Sequence, residues 1–295
     1  MKWHKLIFAI TAIGAASIAL TPLTMLYAAG NENRGLHVVS KVNGLQFILR
    51  NDLPKSPYKE TDGLNCNPHT TKPVSEDARF VAAHGWAVTG EATLGPYQVV
   101  SFAGEFEQGT SGTCATEQGN VGFFLGHKLV ALIYAPRGSK ETIGTIIPIE
   151  GSILRLFDGD LLGMPVGDIQ IAEDGSLQLS NLAAEESFCH GNAFVPNIYN
   201  MPIGKARKLL IARGWRPIDG EIATRTVLTR SEKAGREIKF VKRGIVEVEG
   251  CAGTGLAYCS FKYSGPSGTL DVTTAGDGED SGVLPSVVRY GVKCR

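Results

Sequence analysis

The chain has 295 residues and a formal net charge of zero, with 29 basic and 29 acidic side chains. That balance gives no support for a nucleic-acid binder, which needs a basic surface to meet phosphates. Set against a short N-terminal targeting segment, the length leaves room for two domains with cores of their own.

Residues 1–29 read as that targeting segment. Lys2 and Lys5 give a positive start, Leu6 to Leu20 is apolar and uncharged, and Ala28 and Ala29 supply small residues for cleavage. The apolar stretch from Leu6 to Ala29 is also long enough to span a bilayer uncut, so an anchor is the alternative to a cleaved signal. All six cysteines follow it, an even number, which in an oxidising compartment implies three disulfides.

From Leu36 to Leu182 the sequence predicts short strands. Leu36–Val42 and Leu45–Leu49 alternate and flank Asn43-Gly44, a favoured hairpin turn. Asn51–Ser75 holds four prolines and Cys66 and reads as a long loop; Arg79–Thr89 resumes an apolar pattern around Trp86. Tyr97–Phe106 alternates as one half-buried strand, and Gln108–Asn120 reads as a glycine-rich loop around Cys114. Val121–Leu125 and Leu129–Ala135 form a hairpin about Gly126-His127-Lys128, followed by strands near Thr145–Ile149, Ser152–Phe157, Asp168–Ala172 and Leu177–Leu179. Evenly spaced short strands predict a sandwich or barrel over residues 30–182.

The pattern changes near Leu182. Ile203, Ala206, Leu209 and Leu210 recur at helical spacing, with Lys205, Arg207 and Lys208 between them. Gly214 is placed to end that helix in the left-handed conformation, Trp215 to fold back onto Leu210, and Pro217 to prevent continuation. Thr224–Arg230, Ile238–Val241, Ile245–Val248, Tyr258–Tyr263, Thr269–Thr274 and Val287–Val292 are strand-like by β-branched content. The expectation is a mainly β, α+β protein. A strand-rich sandwich or barrel spans residues 30–182, and a single helix packs on an antiparallel sheet over residues 183–295. Position along the chain favours Cys66–Cys114, Cys189–Cys294 and Cys251–Cys259 as the disulfides.

Residues that carry chemistry are harder to find. The six histidines are scattered, with no His-Glu-x-x-His, Cys-x-x-Cys or paired histidines at helical spacing, so neither a local metal site nor a cofactor is indicated. No catalytic constellation is recognisable, and neither Ser111 nor Ser267 has the pattern of a nucleophile elbow. Two charged features remain. Between Lys205 and Arg243 twelve basic residues face four acidic ones, Arg207, Arg213 and Arg216 among them, and Asp277, Glu279 and Asp280 lie in a flexible acidic loop. Both are candidate surfaces for a protein partner, and the basic one also for anionic head groups.

A helix ending Arg213-Gly214-Trp215-Arg216-Pro217, then strands, then Cys251-Ala-Gly-Thr-Gly255 and Cys259-Ser-Phe-Lys-Tyr263, resembles a module of bacterial envelope proteins. These include periplasmic inhibitors and immunity proteins that neutralise secreted toxins. The resemblance covers the C-terminal third and implies a periplasmic binding protein whose partner is a secreted toxin or envelope enzyme. Two other readings stand beside it. One is an envelope hydrolase built around His84, Ser111 and His127; the other is an envelope structural or assembly protein anchored in the inner membrane by residues 6–29.

Overall fold

The computed structural model describes residues 35–57, 66, 69–109, 113–229, 235–253, 255–276 and 284–295. Two five-stranded sheets form its first half. One runs in the order β1 (Val38–Ser40), β12 (Leu177–Ser180), β11 (Pro165–Ile171), β10 (Ile153–Phe157), β9 (Thr145–Ile149). The other runs β2 (Gln46–Leu49), β8 (Lys128–Tyr134), β7 (Asn120–Leu125), β4 (Tyr97–Ala103), β3 (Ala87–Leu94). Phe47, Val99, Phe123 and Ile133 of the second sheet and Ile146, Leu154, Leu156, Ile169 and Leu179 of the first share one buried core, so the two sheets make a sandwich. Strand periodicity explains the core, since alternate residues of each strand point to the same face. The outer face of the second sheet is covered by α1 (Glu76–Ala83), which packs Ala78 and Val81 against Val100, Phe102 and Phe124.

The expected hairpin at Asn43-Gly44 is not formed. β1 pairs in parallel with β12, whereas β2 pairs antiparallel with β8, so the turn carries the chain from one sheet to the other. Val42, Leu45 and Phe47 are all buried in the shared core, and that burial decides the pairing over the local turn. The single strand expected through Phe106 breaks at Gly104. β5 (Glu105–Gln108) then leaves to pair with β6 (Cys114–Glu117) inside the stretch expected to be loop. A side chain at Gly104 would press on Pro57 and Trp86, so only glycine lets the strand turn there. The hairpin of β7 and β8 is as expected: Gly126 and His127 both have positive φ and join Leu125 to Lys128, the geometry of a two-residue turn.

The second half holds a hairpin, β13 (Glu185–Phe188) with β14 (Ala193–Pro196), then α2 (Ile203–Ala212) and an antiparallel sheet. That sheet runs β15 (Arg216–Pro217), β17 (Cys259–Gly265), β18 (Gly268–Ala275), β19 (Ser286–Cys294), with β16 (Val248–Cys251) paired to β17 on the same side as β15. The strands expected at Thr224–Arg230 and Ile238–Val241 are replaced. In the first, Thr224 ends a short helix, α3 (Glu221–Thr224), residues 225–229 form no strand and Arg230 lies outside the described residues; the second lies in α4 (Arg236–Lys242). Ile203, Ala206 and Leu210 of α2 and Phe240 of α4 bury into the core beneath Phe261, Leu270, Val272 and Val287. The architecture is mainly β with α+β character, as the sequence predicts.

Leu36–Arg295 forms one unit of chain contacts. Within it the sandwich cores draw on residues before Leu182, and the core under α2 on residues after it. Met164, Ala275 and Val288 make a small separate cluster that joins the two halves, with Tyr199 against it. All three expected disulfides are present: Cys66–Cys114, Cys189–Cys294 and Cys251–Cys259. They mark an oxidising, extracytoplasmic compartment. Among the described residues no helix is long and apolar enough to cross a membrane.

Candidate functional site

A cleft of about 990 Å³ lies between the outer face of the β9–β12 sheet and the second half of the chain. Strand alternation builds its floor. Leu154 and Leu156 of β10 turn into the sandwich core, which leaves Ile153, Arg155 and Phe157 on the opposite face. Ile147 and Ile149 of β9 extend that face, and the loop after β10 supplies Asp158, Asp160, Leu161 and Leu162. The facing wall comes from β13, Tyr199, Tyr258 and the Val288–Tyr290 segment of β19; His69, Thr71 and Thr113 also line the cleft.

Arg155 holds the two sides together. It stands directly opposite Asp168 on β11, and its Nε and one terminal nitrogen donate to the two carboxylate oxygens at 2.8 and 3.0 Å. That planar two-point fit is the strongest geometry available to a guanidinium and a carboxylate. The other terminal nitrogen donates to Glu186 Oε1 on β13 at 2.8 Å, and Tyr290 Oη donates to the same oxygen at 2.8 Å. Tyr199 lies against Tyr290 with ring centroids 4.4 Å apart. Arg155 is buried, yet its guanidinium stays charged: burial alone would lower its pKa, and the hydrogen bonds and charges of Asp168 and Glu186 raise it instead. Burial, then the charge of Glu186, pushes the Tyr290 phenol above its ordinary range, so it remains a donor. The one cation of the network is therefore answered by two carboxylates from within the protein, and Arg155 has little left to offer an incoming anion.

Asp158 differs. Burial pushes its carboxyl up, only partly offset by the N–H groups of Met164 and Asp160, and the charges of Asp160 and Glu141 add to the rise. Both of those hydrogen bonds, at 2.9 and 3.1 Å, fall on Oδ1.

The charged residues singled out in the sequence occupy other places. Arg207 is not a free surface charge: it is half-buried and donates at 2.8 Å to Glu247, which is fully buried and also accepts from Tyr263 Oη at 2.7 Å. Arg213 pairs with Glu185 at the cleft, and Arg216 is exposed on β15. Arg236 donates to the carbonyls of Ala257 and Gly276, and Arg225 pairs with Glu221. The basic stretch is thus partly spent on internal bonds, with Lys205, Lys208, Arg216, Lys242 and Arg243 exposed. Asp277, Glu279 and Asp280 lie outside the described residues, as does Ser111.

His84 caps α1, 2.8 Å from the Phe80 carbonyl oxygen and packed at a tilt against the Phe80 ring. His127 sits at the β7–β8 turn beside Asp77 at 3.1 Å and Glu76 at 3.5 Å. Both belong to the α1 side of the sandwich, and neither lines the cleft. Among the described residues, no group of three or more His, Cys, Asp or Glu is arranged to hold a metal ion. Arg155, Asp158, Asp168, Glu186, Tyr199 and Tyr290 escaped the sequence reading. The one available signal was a lone arginine inside the apolar alternation Ile153-Leu-Arg-Leu-Phe157.

Fold and site together define a disulfide-stapled β-sandwich joined to an α+β half, with a deep cleft at the join. Comparison with family models, with curated proteins and with solved structures gave no match.

Proposed function

We propose that this protein is exported to the periplasm by residues 1–29 and acts there as a binding protein. In its most concrete form it is an immunity-type inhibitor that neutralises a secreted toxin or an envelope hydrolase by protein–protein contact. The cleft is the observation that carries this reading. Its size suits a drug-sized ligand or an inserted side-chain cluster, and its walls combine aliphatic and aromatic side chains with polar and charged groups held at fixed points. The Arg155 network braces its two sides, so the seat is preorganised and loses little freedom when filled. The three disulfides fit the compartment in which such an inhibitor meets its target. The resemblance of the chain from Met201 onward to periplasmic inhibitors points the same way.

The test is an inhibition titration against secreted toxins and envelope hydrolases, run with the wild-type protein and with Ile153→Trp, which places a bulky ring on the cleft floor. The wild type should abolish the activity of one such enzyme at one-to-one stoichiometry. Ile153→Trp should need at least about tenfold more protein, roughly 1.4 kcal/mol of lost affinity. Turnover of a cell-wall or lipid substrate by the protein itself would replace this reading with the hydrolase one.

A further inference from the structure

We infer that the cleft takes a cationic head group on an apolar stem, as a lysine side chain presents. This rests on the reading of the cleft as the binding seat and adds the chemistry of its occupant. Six carboxylates line the cleft, those of Glu150, Asp158, Asp160, Asp168, Glu185 and Glu186, against two arginines. Internal pairing does not cancel this excess evenly. Arg155 answers Asp168 and Glu186, Arg213 reaches in to Glu185, and His190 stands 3.2 Å from Glu150. Asp158 and Asp160 have no cation paired to them among the described residues, and their hydrogen bonds there come only from backbone N–H groups of their own loop. Opposing charge elsewhere in the lining comes from Arg289, which is exposed.

The acidic pair adjoins apolar surface. Phe157 precedes Asp158 and Leu161 and Leu162 follow Asp160, while Ile149 and Ile153 line the same floor. An alkyl stem laid along that surface would be desolvated there, and its charged end would meet carboxylates in a medium less screening than water. Tyr199 and Tyr258 also line the cleft, and an aromatic face attracts a cation but not an anion. An anionic occupant would find the one buried arginine of the lining already paired with Asp168 and Glu186.

Three probes of equal length separate the possibilities: hexylammonium, hexanol and hexanoate. Each is titrated into the full chain with its disulfides intact and followed through the isoleucine methyl resonances of Ile147, Ile149 and Ile153. Hexylammonium should bind at least about tenfold more tightly than either of the others, and added salt should weaken it. Asp158→Asn and Asp160→Asn should each weaken it several-fold. In Asp158→Asn the new amide oxygen can still accept from the loop, and Asp160 is exposed, so the second variant keeps the test intact should the first melt early. Hexanoate binding as well as hexylammonium, no response to any probe, or an Asp160→Asn protein indistinguishable from wild type would each overturn the inference. A cleft that takes hexylammonium while the protein inhibits no enzyme leaves this chemistry standing and removes the inhibitor. The reverse result removes the chemistry alone.

Discussion

Arg155 shows how much one side chain can be asked to do. With its relative exposure at 4%, it carries a charge into the interior and depends on Asp168 and Glu186 for compensation. Removing it would strand two carboxylates, so Arg155→Met should cost about 3–5 kcal/mol in urea denaturation, whereas Arg213→Met, at an exposed pair, should cost about 0–1 kcal/mol. Equal effects from the two would show that Arg155 is not the brace. Arg207 invites a similar test: Arg207→Glu sets a second carboxylate against buried Glu247 and should be severely destabilising, although from the helix pattern alone Arg207 reads as exposed. Glu91 supplies a pH dependence. Burial would raise its carboxyl, but hydrogen bonds from the N–H groups of Ser75 and Val74 and the charge of Arg79 outweigh it and hold the group below its usual range. A depressed carboxylate stabilises the fold above its unfolded pKa and loses that contribution as the pH falls through the folded one. Glu91→Gln should therefore flatten the acid side of the stability–pH profile, and an unchanged profile would contradict this. At this scale the sequence could display a lone arginine in an apolar strand, but its partners come from β11 and β13, and only tertiary pairing reveals them.

Three helices end in the same way. In each, a glycine of positive φ follows the last cap residue, and the next residue donates its N–H back to the helix: Trp86 to Val81, Trp215 to Leu210 and Ile245 to Phe240. All three of those returning residues are buried. Only α2 was legible beforehand, because Ile203, Ala206 and Leu210 give it a full apolar face and Pro217 a clear stop. α1 has eight residues with Phe80 exposed, too short for a periodic signal, and α4 carries β-branched residues that argue locally for a strand. The Trp215 clasp reaches further than its own helix, since Nε1 donates to the Phe194 carbonyl at 3.0 Å and the indole covers Gly265. Trp215→Ala should destabilise the protein by about 3–5 kcal/mol. Gly214→Val should be costly because a β-branched residue resists a φ of 90°. Thermal melts decide both, and a Trp215→Ala protein melting like wild type would refute the clasp.

Across the whole molecule, covalent order was easier to read than spatial order. The disulfide pairing follows from position along the chain, and Cys189–Cys294 ties the last strand to the end of β13. Replacing both of these cysteines with alanine should cost about 2–5 kcal/mol in denaturant unfolding. The crossing at Asn43-Gly44 was illegible because a turn sequence fixes the turn and not the partner strand. The cleft was illegible for a related reason: Arg155, Glu186 and Tyr290 are distant in sequence and meet only after both halves have folded. The proposed function requires that the cleft be where a partner is held. Hydrogen exchange on the complex with an enzyme the protein inhibits measures this directly. It should slow amides in residues 145–163, 185–188 and 288–290 while leaving residues 76–84 and 125–128 unchanged. Protection confined to α1 and the β7–β8 turn, or to the exposed basic residues of α2 and β15, with the cleft amides exchanging as in the free protein, would contradict it.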